Sequence, residues 1–152
     1  MLNCQLTLKK KSNLYNKNRI ISICFFKLDK SYKELSVYLE GLKKLIQSRD
    51  RFRKTFTIRL YTDSLEIYNT ILKFNIDIYM YSCNDFKENN KHKGLFGTLV
   101  RYFPLFGHDV ENKNIIIYSD IDDNRLYSPL IDKFSKYDGF ASLRNNILNV
   151  PY

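Results

Sequence analysis

The feature that most constrains the fold of this chain is a repeated alternation of strand-like and helix-like sequence. Strands that alternate with helices pair in parallel through right-handed crossovers, and the helices then cover both faces of the sheet. We therefore predict an α/β fold, a three-layer α/β/α domain with a mainly parallel, Rossmann-like sheet. Four runs rich in β-branched and aromatic residues supply the strands: RIISICFF (19–26), TFTIRLYTD (55–63), IDIYMYS (76–82) and NIIIYS (114–119).

The segments between these runs carry the apolar spacing of amphipathic helices. The clearest helix is predicted to begin near Ser31, where Glu34 three positions later completes a capping box. Its apolar stripe, with intervals of three and four residues, consists of Leu35, Leu39, Leu42 and Ile46. Further helices are predicted in SLEIYNTILKF (64–74), in the segment with Leu95, Leu99 and Phe103 on one face, and in 125–137, while GFASL (139–143) is a candidate fifth strand.

The length of 152 residues fits a single domain. No stretch rich in proline and glycine divides the chain, so we assign residues 19–152 to one ligand-binding α/β domain. Residues 1–18 contain the polar clusters KKKSN and YNKN. For this segment two interpretations stay open, a basic tail and a loosely held first strand.

The net charge of +9 is unevenly distributed along the chain. Residues 1–54 hold 14 basic and 4 acidic residues, whereas residues 55–152 hold 11 basic and 12 acidic residues. A basic front of this kind can bind nucleic acid, so a basic nucleic-acid-binding accessory protein is kept as the alternative function. A solvated helix face and tail explain the same residues without any partner, and nucleic acid is therefore the less favoured partner.

The three cysteines, Cys4, Cys24 and Cys83, are widely spaced and contain no CxxC pair. Such a pattern indicates neither a disulfide framework nor a zinc site, so we expect reduced thiols and a cytoplasmic location. No apolar run approaches the roughly 20 residues that a transmembrane helix needs. The sequence therefore predicts no membrane span.

Polar residues follow each of the four predicted strands. In parallel α/β sheets, ligands bind beyond the carboxyl ends of the strands, at the point where the strand order reverses. We expect the first and the fourth predicted strands to be neighbours at this point. The residues at the four strand ends are Lys27 and Asp29, Asp63 and Ser64, Ser82 and Asn84, and Asp120 and Asp122.

The D-x-D sequence of Asp120 and Asp122 is the strongest indication of a ligand. Two aspartates one residue apart at a strand end can both turn toward a divalent cation, and carboxylate oxygens suit Mg²⁺ or Mn²⁺. A calcium loop is excluded because it would require Gly at position 125 and Glu at position 131. Two alternatives remain, a metal-dependent phosphatase and a helix N-terminus capped by Asp123 or Asn124.

Three sequence blocks in a fixed order carry a resemblance to a known family. They are LYTDS (60–64), HKGLFGTLVRYFPLF (92–106) and IIIYSDID (115–122). This arrangement resembles nucleotide-sugar glycosyltransferases of the A-type fold, in which a helix that bears an arginine precedes a strand that ends in D-x-D. The resemblance is greatest to glycosyltransferase-like proteins of large DNA viruses, and it covers roughly residues 56–124.

The resemblance implies a role for each matching residue. Asp120 and Asp122 would hold Mn²⁺ or Mg²⁺ at the diphosphate of a UDP- or GDP-sugar, with Asp120 also near the ribose or the sugar. Asp63 would approach the nucleobase, which Phe26 and Lys27 would flank, and Arg101 would lie under the sugar diphosphate. Simpler roles stay open for several residues: a surface ion pair for Arg101, a helix cap for Asp63, close packing for Gly94 and Gly97, and no catalytic role for His92 and His108.

The function implied by the resemblance is transfer of a hexose from a nucleotide sugar to a glycan or protein acceptor, or binding of that donor without turnover. Members of the A-type fold continue past D-x-D into a half that builds the acceptor site. Because this sequence stops at Tyr152, we expect it to represent the donor-binding half alone, as a partial or inactive copy. For a viral protein, the location would be the host cytoplasm or the virion.

Overall fold

A computed structural model describes residues 3–14, 16, 18–27, 33–89, 91–93, 96–106, 115–122, 126, 129–134 and 136. Its regular elements are seven strands, four α-helices and two short 3-10 turns, at Asn84–Phe86 and Phe103–Leu105. The strands are β1 (Cys4–Lys10), β2 (Arg19–Cys24), β3 (Thr57–Thr62), β4 (Asp77–Cys83), β5 (Lys87–Glu88), β6 (Lys91–His92) and β7 (Ile115–Tyr118). The helices are α1 (Leu35–Phe52), α2 (Leu65–Ile71), α3 (Phe96–Val100) and α4 (Leu130–Phe134).

Five of the strands form one mixed sheet in the order β1-β4-β3-β2-β7, while β5 and β6 form a separate hairpin. Strands β4, β3, β2 and β7 run parallel, and β1 is antiparallel to β4. This sheet of mostly parallel strands with helices confirms the predicted α/β class. Strand β2 pairs with both β3 and β7, which confirms that the first and fourth of the predicted strands are neighbours.

Strand β1 lies in the segment for which a tail and a first strand were both open. It pairs along β4 from Cys4 opposite Cys83 to Lys10 opposite Ile78, and a disulfide joins Cys4 to Cys83. The expectation that all three thiols are reduced is therefore wrong for this pair. The spacing argument failed because the partners are 79 positions apart and are brought together only by the antiparallel pairing of their strands.

Two apolar clusters lie on the two faces of the sheet. Leu60 belongs to the first cluster and the next residue, Tyr61, to the second, because successive side chains of a strand point to opposite faces. Leu42 and Leu45 of α1 and Ile67 and Ile71 of α2 pack in the first cluster. Helix α3 contributes Val100 and Phe96 to the second cluster, together with Tyr79, Tyr81 and Phe103.

Buried polar groups hold the start of β4 against the segment that follows β1. Asp77 is fully buried, and one of its carboxylate oxygens accepts the backbone N–H of Ser12 at 2.7 Å. Arg59, its neighbour on β3, is 2% exposed and stacks over the Tyr79 ring at 4.9 Å. Burial raises the pKa of Asp77, although the Ser12 hydrogen bonds and the Arg59 charge oppose this shift. These groups lie at the amino-terminal end of β4, away from the predicted ligand site.

Helix α1 differs from its prediction at the amino terminus. The helix begins at Leu35 with Glu34 as its N-cap, and no side chain caps it, so the predicted capping box is wrong; Ser31 itself lies outside the described residues. Leu35 is 39% exposed, while Leu42 and Leu45 are buried. The first turn of α1 thus extends beyond the apolar cluster. Among the helices that the structure describes, none is long and apolar enough to cross a membrane.

The two later helices are shorter than predicted. Helix α4 covers five residues of the predicted 125–137, and the candidate strand at 139–143 falls outside the described residues. In α3, Gly97 and Val100 are buried, whereas Leu99 is 58% exposed. The predicted apolar face through Leu99 is wrong because positions 97 and 100, three residues apart, share the helix face that meets the sheet.

Candidate functional site

The parallel strands bring several predicted ligand residues to one edge of the sheet. Asp63 follows β3, Asp120 follows β7, and Phe26 and Lys27 follow β2, each at a carboxyl end. Since parallel strands have their carboxyl ends at the same edge, these residues share that edge. Their side chains nevertheless divide into two groups, one around Asp120 and the other around Asp63.

Asp120 forms an ion pair with Arg101, so the structure brings these two predicted residues together. The Arg101 side chain is 19% exposed and that of Asp120 is 67% exposed. Arg101 also donates to the Ser119 carbonyl at 3.4 Å, and its own carbonyl accepts the Ser22 hydroxyl at 2.5 Å. Burial disfavours the guanidinium charge, but the hydrogen bond and charge of Asp120 outweigh it and raise the pKa of Arg101.

Asp122 is neutralised by a different cation. Its carboxylate lies 2.7 Å from Lys33 Nζ, with the two side chains 39% and 48% exposed. The hydrogen bond and charge of Asp122 raise the pKa of Lys33. Asp120 and Asp122, which we call the acidic edge, thus each have a cationic partner from a distant part of the chain.

Helix α1 fixes the position of Asp122. A Cβ atom built on Gly41 would lie 2.9 Å from Asp122 Cα and 3.2 Å from the Ile121 carbonyl oxygen, so only glycine permits this approach. Ile121 is buried at 6% exposure between the two exposed aspartates. Asp122 also lines a cleft of about 550 Å³ along the start of α1, with Ser36 and Glu40.

The acidic edge has the chemistry of a small magnesium or manganese site. Mg²⁺ is commonly bound through one or two carboxylates, with water and substrate phosphates completing its shell, and both Asp120 and Asp122 are accessible. A site made by protein ligands alone is not indicated: within the described ranges, no group of three or more His, Cys, Asp or Glu side chains could hold a metal ion. Any metal ion held by Asp120 or Asp122 would therefore need further ligands, such as water or phosphate.

Asp63 faces a histidine and not the acidic edge. Its carboxylate lies 2.8 Å from His92 Nδ1, while His92 Nε2 accepts the backbone N–H of Cys83 at 3.0 Å. Since Nε2 accepts a hydrogen bond, the ring proton is on Nδ1 and is donated to Asp63. Both ring nitrogens are engaged, so His92 has no free nitrogen for proton transfer.

The helix cap proposed as a simpler role for Asp63 is wrong. The N-cap of α2 is Ser64, whose hydroxyl accepts the Ile67 backbone N–H at 3.3 Å. Asp63 is directed to His92 instead, and the His92 ring packs 4.9 Å from Tyr81 and 5.5 Å from Phe96. The Asp63 and His92 pair thus anchors the β5–β6 hairpin to the second apolar cluster.

Phe26 and Lys27 take separate positions after β2. The Phe26 ring packs directly on Gly97 of α3, where any Cβ atom would overlap it, which confirms that Gly97 permits close packing; Gly94 lies outside the described residues. Lys27 pairs with Glu66 of α2 at 2.8 Å, with both side chains mostly exposed. Phe26 therefore lies toward Arg101 on the α3 side, and Lys27 toward Asp63.

A second cleft, of about 560 Å³, was not predicted from the sequence. Its residues come from β1, from the ends of β2, β3 and β4, and from the β5–β6 hairpin. No motif signals it, because its lysines come from separate parts of the sequence, at position 9, at position 27 and at positions 87 and 91. We call it the lysine cleft. Its charged lining residues and its histidine are Lys9, Lys27, Lys87, Lys91, Asp63 and His92.

Comparisons of the chain with profiles of known protein families, with curated proteins and with solved structures find no match. The resemblance to A-type glycosyltransferases, carried by three short blocks, therefore stays a prediction. What the site can do has to be inferred from its own residues, their partners and their charges.

Proposed function

We propose that this chain is the donor-binding part of a glycosyltransferase-like protein with a three-layer, Rossmann-like architecture. Its ligand would be a UDP- or GDP-sugar, bound at the carboxyl edge of β2 and β7. The observation that carries the proposal is the position of Asp120, which leaves β7 beside β2 with Arg101 paired to it. Strand order reverses at β2, and ligands of α/β sheets bind at that point.

Arg101 would support the diphosphate of the donor. Its guanidinium is held beside Asp120 and the Ser119 carbonyl, and its backbone is fixed to β2 through Ser22. A planar guanidinium can donate two parallel hydrogen bonds to a phosphate group. Because the Asp120 side chain is largely exposed, its carboxylate can move away from Arg101 when an anion binds there.

Asp120 and Asp122 would hold Mn²⁺ or Mg²⁺ when the donor is bound. An ion there would neutralise the charge of the nucleoside diphosphate as a leaving group. Lys33 and Arg101 neutralise the same aspartates in the metal-free chain. With a metal ion held by the carboxylates, Lys33 and Arg101 would be free to contact the phosphate oxygens of the same ligand.

The proposed activity is donor binding, with hexose transfer to a glycan or protein acceptor as its possible continuation. His92 supplies no proton-transfer group to the acidic edge, since it is engaged at both nitrogens and lies beside Asp63. The cytoplasmic location also belongs to the proposal. The Cys4–Cys83 disulfide weighs against it, because disulfides persist mainly in oxidising compartments.

Calorimetric titration of UDP and GDP, with and without Mn²⁺, tests the proposed site. We expect one of the two nucleotides to bind only with Mn²⁺, and the Asp120→Asn/Asp122→Asn variant to lose this binding while it keeps its fold. The matched control is Glu88→Gln/Asp132→Asn. It also removes one carboxylate paired to a lysine and one paired to an arginine, Lys93 and Arg53, away from the acidic edge.

Two outcomes would contradict the proposed function. One is the absence of any Mn²⁺-dependent binding of UDP or GDP to the parent protein. The other is an equal loss of binding in the double variant and in its control. Binding of nucleic acid that ignores Mn²⁺ and falls steeply with salt would instead support the alternative of a basic accessory protein.

A further inference from the structure

We propose that the lysine cleft is a second, metal-independent binding site for a small molecule that carries a phosphomonoester or diphosphate group. This site does not depend on the proposed nucleotide-sugar site, because the acidic edge contributes no residue to its lining. The inference is drawn from the excess of positive charge in the cleft, from the Asp63 carboxylate that lines it, and from the size of the cleft.

Four ammonium groups line the lysine cleft against one carboxylate, that of Asp63. Lys87 donates to the Ser82 hydroxyl at 2.6 Å, a neutral partner that leaves the lysine charge uncompensated. Lys27 pairs with Glu66 at the rim, while Lys9 and Lys87 by themselves already outnumber the single carboxylate of Asp63. The lining therefore keeps a positive excess, and positive charge in a concave site attracts anions.

Two oxygen atoms of cleft residues lack a hydrogen-bond partner among the described residues. They are Asp63 Oδ1 and the Tyr81 hydroxyl, and both are buried. Tyr81 is only 3% exposed. Its pKa is raised far above the ordinary value, first by burial and then by the charges of Asp63 and Cys24, so the hydroxyl stays a donor.

Buried polar atoms in folded proteins are normally satisfied by the protein, by water or by a ligand. Asp63 Oδ1 can accept from a hydroxyl or amine of the ligand, while Oδ2 remains bound to His92. Cationic donors together with one acceptor match a molecule that has both a phosphate group and a hydrogen-bond donor.

The shape of the cleft favours a small molecule over a nucleic acid. A volume of about 560 Å³ lies within the range of small-molecule sites. Single-stranded nucleic acids are bound on exposed aromatic rings along a basic track, but the rings of Tyr81, His92 and Phe96 pack against one another. A phosphomonoester, with close to two negative charges at neutral pH, also gains more from clustered lysines than a diester does.

Calorimetric titration of inorganic pyrophosphate in the presence of EDTA tests this site. We expect saturable binding to the parent protein and a loss of affinity of about tenfold or more in Lys9→Gln/Lys87→Gln, because two charge-assisted contacts are removed. The control Lys54→Gln/Lys73→Gln makes the same change in net charge at exposed positions outside the cleft, and its affinity should stay within about twofold. Lys9→Gln/Lys87→Gln should keep the Mn²⁺-dependent nucleotide binding of the parent, because neither lysine belongs to the acidic edge, and this separates the test from that of the proposed function.

Three outcomes would overturn the proposed phosphate site. The first is the absence of saturable pyrophosphate binding. The second is an equal loss in the cleft variant and the control, which would mean attraction by net charge alone. The third is tighter binding of a single-stranded oligonucleotide than of pyrophosphate, lost in the cleft variant alone, which would assign the lysines to nucleic acid.

Discussion

The acidic edge and the lysine cleft carry opposite charges and differ in how those charges are matched. At the acidic edge the carboxylates are adjacent in the sequence, and each one is paired with a cation, Arg101 or Lys33. In the lysine cleft the charges come from separate elements, and one carboxylate faces four lysines. A dense run of like charges in a sequence can thus be neutralised in the fold, while scattered charges can accumulate.

The same difference bears on how the basic front, residues 1–54, is interpreted. Residues 1–54 carry 14 basic and 4 acidic residues, a net charge of +10 against +9 for the whole chain. Of these basic residues, Lys9 and Lys27 are the two in the described lining of the cleft. Lys87 and Lys91 come from the part of the chain whose charges nearly cancel. Charge counted along the sequence therefore does not locate the charged surface, because strand pairing brings β1 beside β4.

The largest expected effect comes from removing the disulfide, which should affect the lysine cleft and not the acidic edge. Replacing Cys4 and Cys83 by serine removes a cross-link between residues 79 positions apart, and restraint of a loop of that size is worth about 4 kcal/mol in the chain-entropy account. Since β1 carries Lys9, we expect pyrophosphate binding to weaken while Mn²⁺-dependent nucleotide binding persists. Urea unfolding and the two titrations measure this.

Cys24→Ala is the control for the disulfide, since it removes the thiol that stays free. It should leave pyrophosphate binding unchanged. An unchanged free energy of unfolding in the double serine variant would contradict the stabilising role of the cross-link. If the double serine variant lost nucleotide binding but kept pyrophosphate binding, the assignment of β1 to the lysine cleft alone would be contradicted.

A smaller effect is expected from Cys24, at the end of β2 between the two regions. Burial raises its pKa from 9.0 to about 11, with Arg101 lowering it and Asp120 raising it. The folded chain therefore holds the thiol proton more tightly than the unfolded chain. The stabilisation of the fold by the protonated thiol is complete below pH 9 and is lost as the pH rises through 11. The free energy of unfolding should have fallen by about 1 kcal/mol by pH 10.

Urea unfolding of the parent and of Cys24→Ala between neutral pH and pH 10 measures this loss, which the variant should not show. Tyr118, whose pKa burial raises to about 12, contributes equally to both proteins. Asp120→Asn should lower the pKa of Cys24, because it removes a charge that raises it. Parallel pH profiles of parent and Cys24→Ala would show that the thiol is not held protonated by the fold.

The smallest expected effect tests whether Lys33 competes with a metal ion for Asp122. Lys33→Gln should raise the affinity for Mn²⁺ by no more than about fivefold, because an ion pair between exposed side chains is weak. Lys43→Gln is the control, because Lys43 is equally exposed and pairs with Glu40 on α1. Equal Mn²⁺ affinities of both variants, measured from melting temperatures at several Mn²⁺ concentrations, would argue against a metal ion at Asp122.

Much of the sheet could be predicted because its central strands are buried on both faces. Runs rich in β-branched and aromatic residues mark β2, β3 and β4, and none of these strands contains Gly or Pro. The neighbouring positions of β2 and β7 followed from the topology of α/β sheets. The D-x-D pair could be found for the same reason, since it follows directly after one of these strands.

The rest depended on contacts between distant segments. The sequence of β1 has no continuous apolar run that would predict a buried strand. Its apolar residues Leu6 and Leu8 are 44% and 41% exposed. The partners of Asp122 and Asp63 are Lys33 and His92, and nothing in the local sequence links either pair. Convergence of side chains from β1, β4 and the β5–β6 hairpin likewise appears only once the strands are paired.

Two glycines described above would behave in an unusual way if every position of the chain were substituted in turn. Asp122 occupies the space that a Cβ atom on Gly41 would fill, and the Phe26 ring occupies the corresponding space at Gly97. A survey of variants for retained function would mark both positions as intolerant, although neither offers a chemical group to a ligand. Intolerance at these two positions would report on close packing beside the proposed binding site. Intolerance at Arg101 or Asp120 would instead report on the charged groups of that site.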